Sequence, residues 1–147
     1  MYEKPKVSII MPIYNSARFL NDSINSVINQ TFKNWELLLV IDKSEDGSKE
    51  ICKKFYKENF NKVHIFETRG SEGAARARNI AIEKARADYI AFLDSDDLWH
   101  KDKLLKQIHF MEMTSIDFSY HNYNIINEKD ELKKTFISPP VVNYELL

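Results

Sequence analysis

The chain has little of several features that would assign its class at once. Among its 147 residues there is one cysteine, Cys52, which excludes an internal disulfide and the common cysteine-rich zinc frameworks. No apolar run approaches the length of a membrane span. Neither sign of charge dominates, since 21 Lys and Arg face 22 Asp and Glu, so nucleic acid is not an expected partner. The charged first residues and Pro5 do not form a signal peptide, and we expect a cytoplasmic protein.

What the chain does have is a regular alternation of strand and helix patterns. Four short apolar runs have the character of buried strands: residues 7–12, 35–41, 63–66 and 89–93. A segment with helical spacing follows each of them. This pattern predicts an α/β fold, a three-layer sandwich with a mostly parallel, Rossmann-like central sheet. Farther on, residues 117–126 alternate as in an open strand.

Three carboxylates, Asp94, Asp96 and Asp97, follow the fourth apolar run within four residues. Like charges this close repel each other and burial raises their pKa values, a conflict that a bound divalent cation relieves. In an extended chain, Asp94 and Asp96 would point to the same side while Ser95 turns away. The same residue types also form turns and cap helices, so the triplet leaves both a metal site and a plain turn open.

Polar clusters follow three of the predicted strands. They comprise residues 12–15, Asp42 and residues 94–97. In parallel sheets, ligands bind beyond the carboxyl ends of the strands, where the strand order reverses, so we expect these clusters to line one crevice. Every α/β protein has polar strand ends, however, and the architecture alone does not decide the chemistry.

Two arginines, Arg76 and Arg78, lie in the first turns of the predicted third helix, just after a glycine-containing loop. Basic side chains near the positive end of a helix favour an anion such as a diphosphate. The alternative is that they are solvated, or pair with Glu72, Glu83 or the acidic cluster.

Four segments resemble, in order and spacing, the N-terminal half of the family 2 glycosyltransferases, which have the GT-A nucleotide-binding fold: residues 7–15, 44–48, 73–79 and 92–97. The resemblance extends from residue 7 to about residue 113 and is greatest for enzymes of bacterial surface polysaccharides. It implies transfer of a sugar, with inversion, from a nucleotide sugar, with UDP as the expected nucleotide. It further implies a saccharide or lipid-linked acceptor and Mn²⁺ or Mg²⁺ as cofactor.

The resemblance also implies a function for individual residues of the first two loops and the third helix. Pro12, Tyr14 and Asn15 would flank the base and ribose of the nucleotide. Asp42 would hydrogen-bond a uracil-type base, and Arg78 would lie near the base or the diphosphate. After the second strand, members of the family often have two adjacent Asp residues, where this chain has Ile41 followed by Asp42.

In the acidic cluster, the resemblance implies that Asp94 faces the ribose or donor sugar and that Ser95 belongs to the same substrate-binding set. Asp96 would ligate the cation bound to the diphosphate, with Asp97 as a substitute ligand. The family's catalytic base is a carboxylate well downstream, and nothing in residues 117–147 matches its motif. The run Glu128, Asp130 and Glu131 has the pattern of a solvated face instead.

We therefore expect residues 1–126 to form a nucleotide-sugar-binding domain and residues 127–147 to begin a truncated acceptor-side region. One alternative is a non-catalytic nucleotide-binding domain, or an inactive fragment that lacks the base. Another is a phosphotransferase that uses the first Asp of the triplet as nucleophile, although that motif normally follows the first strand. A lipid-linked acceptor would be compatible with a peripheral location at the inner face of the plasma membrane.

Overall fold

The computed structural model describes residues 4–127, 129 and 131–139. The four predicted strands of the sheet and the helices that follow them all form, and two short strands lie near the end, the first of them inside the segment predicted as an open strand. In chain order the elements are β1 (Val7–Ile13), α1 (Ala17–Ile28), β2 (Trp35–Ile41), α2 (Ser48–Glu58), β3 (Val63–Glu67), α3 (Gly73–Lys84), β4 (Tyr89–Phe92), α4 (Lys103–Thr114), β5 (Tyr123–Ile126) and β6 (Leu132–Phe136). Within the described residues, no helix has both the length and the apolar character needed to cross a membrane.

The first compact unit, residues 1–106, contains one sheet of four parallel strands in the order β3-β2-β1-β4. The chain moves outward from β1 to β2 and β3, and then crosses back to β4 on the other side of β1. Because parallel crossovers are right-handed, α1 and α2 cover one face of the sheet and α3 covers the other. The predicted α/β fold with a parallel central sheet is confirmed. The strand order reverses between β1 and β4, which is where such sheets bind ligands.

Both central strands are buried along their whole length, as their continuous apolar sequences predict. On one face, Ile10, Leu38 and Val40 form a cluster with Ala77 and Ala81 of α3. The small alanine side chains let the helix backbone approach the sheet closely. This packing holds α3 against β1 and β2.

A buried carboxylate holds the opposite end of the sheet together. Glu36, 1% exposed, accepts hydrogen bonds from Ser8 Oγ (2.7 Å), Arg86 N (2.9 Å) and Arg86 Nε (2.8 Å). Burial by itself raises the pKa of Glu36, but the hydrogen bonds from Ser8 and Arg86 outweigh it and hold the pKa below its usual value. The pair joins the start of β2 to the segment between α3 and β4.

The second compact unit, residues 107–147, contains the antiparallel pair β5 and β6. Here the prediction of a strand over residues 117–126 was wrong for its first part, since only Tyr123–Ile126 is a strand. An alternating segment forms a strand only where a neighbouring strand completes its hydrogen bonds. For Tyr123–Ile126 that neighbour is β6, and the rings of Tyr123 and Phe136 stack with 4.8 Å between their centroids. Of the predicted charged run, Glu131 is exposed and the other two residues lie outside the described residues. The expected division at residue 126 stays a prediction.

We predict that Glu36→Ala lowers the free energy of unfolding by roughly 2–4 kcal/mol, because it leaves buried donors and the Arg86 guanidinium without their acceptor. The loss is smaller than for a fully buried pair because Arg86 is more than half exposed. Urea denaturation measures it. Glu83→Ala, which removes an exposed carboxylate 3.9 Å from Arg76, serves as control and changes stability by less than about 0.5 kcal/mol. Equal effects of the two substitutions would contradict the prediction.

Candidate functional site

An open cleft lies at the carboxyl ends of β1, β2 and β4, where the strand order reverses. Loops that follow three strands form it together with the first turns of α3. Its lining residues are Pro12, Ile13, Tyr14, Ser16, Asp42, Ala74, Ala77, Arg78, Asp94, Ser95 and Asp96. The crevice expected from the sequence is therefore present, and it brings together seven of the nine predicted site residues. Asn15 and Asp97 are not among the residues that line it.

Asp42 is buried at the end of β2 and receives three hydrogen bonds. Thr68 Oγ1 lies 2.6 Å from Oδ1, and the backbone N–H groups of Glu72 and Gly73 donate to the two carboxylate oxygens at 2.9 and 2.8 Å. Burial raises the pKa of Asp42, but these three donors outweigh it and the pKa is lowered overall. Asp42 thus fixes the start of α3, the helix that carries Arg78, while it also lines the cleft.

The loops after β1 and β2 are hydrogen-bonded to each other. Asn15 has a left-handed backbone (φ 45°), and its Oδ1 accepts from the N–H of Glu45 at 2.9 Å. Asp46 accepts from the N–H of Ala17 at 2.8 Å and from the N–H of Ser48 at 3.1 Å, so one carboxylate binds the first N–H group of both α1 and α2. Asn15 is therefore occupied in shaping the loop that presents its neighbours to the cleft.

Residues 94–97 form a tight turn rather than an extended segment, and Asp97 N donates to Asp94 O at 3.1 Å. The expectation that Ser95 turns away from two aligned carboxylates was therefore based on the wrong backbone shape. Ser95 is buried, shares a 2.6 Å hydrogen bond with Ser16 Oγ, and lines the cleft beside Asp94 and Asp96. Both carboxylates still face one cleft, because the turn presents them together.

The arginines at the start of α3 have carboxylate partners. Arg78 Nη2 donates to Asp94 across the cleft, from α3 to the turn after β4. Arg76 instead pairs along its own helix with Glu72 at 3.2 Å and with Glu83 at 3.9 Å. Arg78 is therefore the arginine that the fold directs into the cleft, while Arg76 is held outside it.

The acidic turn has the chemistry of a divalent-cation ligand. Desolvation, followed by the charges of Asp96 and Asp94, raises the pKa of Asp97. Within the described part of the chain, no group of three or more His, Cys, Asp or Glu residues is arranged to hold a metal. A cation held by one or two carboxylates and completed by phosphate oxygens and water fits this donor set, as is usual for Mg²⁺.

Sequence patterns did not reveal several residues that shape the site. Thr68, Ser16 and Asp46 act through hydrogen bonds to residues 26 to 79 positions away or to neighbouring backbone groups. Asp46-Gly47-Ser48 carried a local signal, since an Asp two residues before a Ser at a helix start is typical of capping. The long-range hydrogen bonds had no such signal in the sequence.

We predict that Asp42→Asn lowers the free energy of unfolding by about 1–3 kcal/mol at neutral pH, because one acceptor oxygen is replaced by a donor. The pKa of Asp42 is depressed in the folded protein, so its extra stability is complete above its unfolded pKa of about 4 and is lost as the pH falls through the folded value. The difference between wild type and Asp42→Asn, measured by urea denaturation, should therefore shrink in acid.

The matched control for this measurement is Asp22→Asn, at an exposed position of α1. It should change stability by less than about 0.5 kcal/mol at any pH. A difference between wild type and Asp42→Asn that grew as the pH fell would contradict the assigned hydrogen bonds.

Comparisons with known proteins agree with this geometry. The sequence model of glycosyl transferase family 2 matches residues 8–143. TuaG of Bacillus subtilis, named for teichuronic acid biosynthesis, is 40% identical over 137 residues, and the glucosyltransferase WfgD of Escherichia coli is 41% identical over 141 residues. These alignments cover 93% and 96% of the chain, which spans 54% of the length of each relative.

Among solved structures, the crystal structure of S. aureus TarS 1-349 in complex with UDP superposes with a TM-score of 0.68 at 30% identity. The match covers 74% of this chain and 32% of that one. From the family match over most of its length and from these relatives, the chain belongs to glycosyl transferase family 2.

Proposed function

We propose that this chain is the donor-binding part of an inverting glycosyltransferase that uses a UDP-sugar and a divalent cation, Mn²⁺ or Mg²⁺. The observation that carries the proposal is the convergence of Asp42, Arg78, Asp94 and Asp96 on one cleft at the reversal of strand order. Such a cleft offers a hydrogen-bond acceptor for a base, the Arg78 guanidinium for a diphosphate, and carboxylates for a metal ion.

The names of relatives support the choice of nucleotide and the class of acceptor. WfgD is named as a glucosyltransferase that uses UDP-Glc and a GlcNAc-diphosphoundecaprenol acceptor, and the TarS structure is a complex with UDP. We therefore propose UDP as the nucleotide and a saccharide or lipid-linked acceptor. With such an acceptor, the protein would work in the cytoplasm, at the inner face of the plasma membrane.

The nucleotide itself would lie against the loops after β1 and β2. Pro12 and Tyr14 line the cleft there, and the side chain of Tyr14 is 60% exposed, so its ring is free to pack against a base or ribose. Asn15 would act beside them by holding the loop in shape. Oδ1 of Asp42 already accepts from Thr68 and Glu72, whereas Oδ2 accepts from Gly73 alone, so Oδ2 would accept a further hydrogen bond from the base.

The diphosphate would lie between α3 and the acidic turn. Arg78, which now pairs with Asp94, would exchange part of this contact for a phosphate oxygen, since a guanidinium binds both anions with similar geometry. Asp94 would then be released toward the ribose or donor sugar, next to Ser95. Asp96 would ligate the cation, with Asp97 as the second candidate.

A cation bound at this place would neutralise charge that develops on the departing diphosphate. What the chain itself supplies is position: Arg78 and the acidic turn hold the leaving group, and the rigid sheet end fixes their separation. An inverting transfer also needs a group that accepts the proton of the acceptor hydroxyl, and we assign no residue of this chain to it. Residues 127–147 are proposed to begin the acceptor side.

A non-catalytic nucleotide-binding domain would bind the same ligands without transfer, but the similarity to named glycosyltransferases over most of the chain does not favour it. A phosphotransferase is disfavoured by the position of the acidic turn, which follows β4 instead of β1.

We predict that UDP binds the chain with Mn²⁺ present and binds much more weakly with a chelator, as measured by calorimetry. Asp96→Ala should reduce the affinity in Mn²⁺ by at least about tenfold, because even outer-shell partners of a metal are worth that much. The control Asp22→Ala removes an exposed carboxylate from α1 and should leave the affinity unchanged. Both variants should keep the wild-type melting temperature within a few degrees.

Failure of wild type to bind UDP in a metal-dependent way would overturn the donor-site proposal. A separate assay of sugar transfer tests the expected need for a further part of the enzyme: transfer by this chain alone would refute that need while leaving the donor site intact.

A further inference from the structure

A row of polar side chains on and next to α1 contacts the segment that carries the acidic turn. The contacts follow both chains in the same direction. Ser16 is hydrogen-bonded to Ser95, Ser23 to Asp94 and Asp97, Ser26 to Trp99, and Gln30 to His100 and Leu104. All but the Ser16–Ser95 contact join a side chain of α1, or of the residues just after it, to a backbone group of the segment.

Ser23 holds the turn itself. Its Oγ lies 3.2 Å from the carbonyl oxygen of Asp94 and 2.8 Å from that of Asp97, so its single hydrogen is directed at the two residues that close the turn. Ser23 is fully buried, between Leu20 and Ile24 on the otherwise apolar stripe of α1. A polar group at such a place is costly unless it is paired, and here its partners are the backbone of the acidic turn.

Gln30 and Ser26 fix the rest of the segment. Gln30 is fully buried; its Nε2 donates to His100 O at 2.9 Å and its Oε1 accepts from Leu104 N at 3.0 Å. Ser26 Oγ accepts from Trp99 N at 3.2 Å. Ser23 and Ser26 are three residues apart and lie on the side of α1 that faces the segment, and Gln30, just after the helix, continues the row.

The acidic turn needs this support because its own structure is slight. A single backbone hydrogen bond closes it, between Asp97 N and Asp94 O. The carboxylates of Asp94, Asp96 and Asp97 lie within four residues, and their like charges repel one another. Without external partners, that repulsion would favour a more open backbone in which the carboxylates separate.

We propose that Ser23 is a positioning residue for the donor site, which keeps the turn of Asp94 to Asp97 in the shape that receives a divalent cation and diphosphate before either arrives. The inference rests on the proposed function. Preorganisation of this kind removes an ordering cost that the ligand would otherwise have to overcome. Ser26 and Gln30 extend the same support to the residues that follow.

The test compares Ser23→Ala with Ser8→Ala. Both serines are fully buried, and both donate a hydrogen bond, but Ser8 donates to Glu36 at the far end of the sheet. We expect both substitutions to lower the melting temperature by a few degrees. Calorimetric titration with UDP, once with Mn²⁺ and once with a chelator, then distinguishes an effect on the geometry of the acidic turn from a general loss of stability.

For Ser23→Ala we expect roughly a tenfold loss of UDP affinity in Mn²⁺ and little change in the chelator, so the ratio of the two affinities falls. For Ser8→Ala the ratio should stay at the wild-type value. An unchanged ratio in folded Ser23→Ala would overturn the inference, as would an equal fall in Ser8→Ala. If wild type itself shows no metal-dependent binding, the proposed function fails instead. Should Ser23→Ala not fold, Ser26→Ala, which releases Trp99 N, is measured in the same way and judged by the same ratio.

Discussion

The structure depends on one constraint, the placement of three carboxylates in a tight turn at the end of a strand. Asp94, Asp96 and Asp97 repel one another, and the fold opposes the repulsion from two directions. Arg78 reaches the turn from α3 with its charge, and Ser23 reaches its backbone from α1 with a buried hydroxyl. Because α1 and α3 lie on opposite faces of the sheet, the turn is held from both layers of the sandwich. A divalent cation would complete the neutralisation that the protein begins.

The sheet topology explains why this turn meets a nucleotide-sized cleft. The reversal of strand order at β1 separates the covering helices and leaves their starts on either side of one crevice. Asp42 connects the two functions of the sheet end, since it fixes the start of α3 and lines the same cleft. A substitution there would act on both folding and binding, whereas Asp96 has no such structural part among its described contacts and would act on binding alone.

Much of the fold followed from the sequence because the strands are continuous apolar runs between loops rich in Asp, Ser and Asn, a pattern that depends on neighbours along the chain. That Asp42, Arg78 and Asp96 line one cleft followed from their place after strands and at a helix start. The support of the turn by Ser23, and of the residues after it by Gln30, did not, because the partners lie about 70 residues away and a serine or glutamine carries no local sign of them. Strand β6, which pairs with β5, was missed for a related reason: a short strand pairs by tertiary contact, not by its own pattern.

The central claim is that UDP and a divalent cation meet at the acidic turn. The most direct measurement is paramagnetic broadening of backbone amide signals in nitrogen-15 NMR spectra as Mn²⁺ is added with UDP present. We predict that signals of residues 94–97 and of Arg78 broaden first, that those of Ser8 and Glu36 at the far end of the sheet persist, and that the pattern weakens when UDP is omitted. Broadening centred elsewhere, or indifferent to UDP, would contradict it.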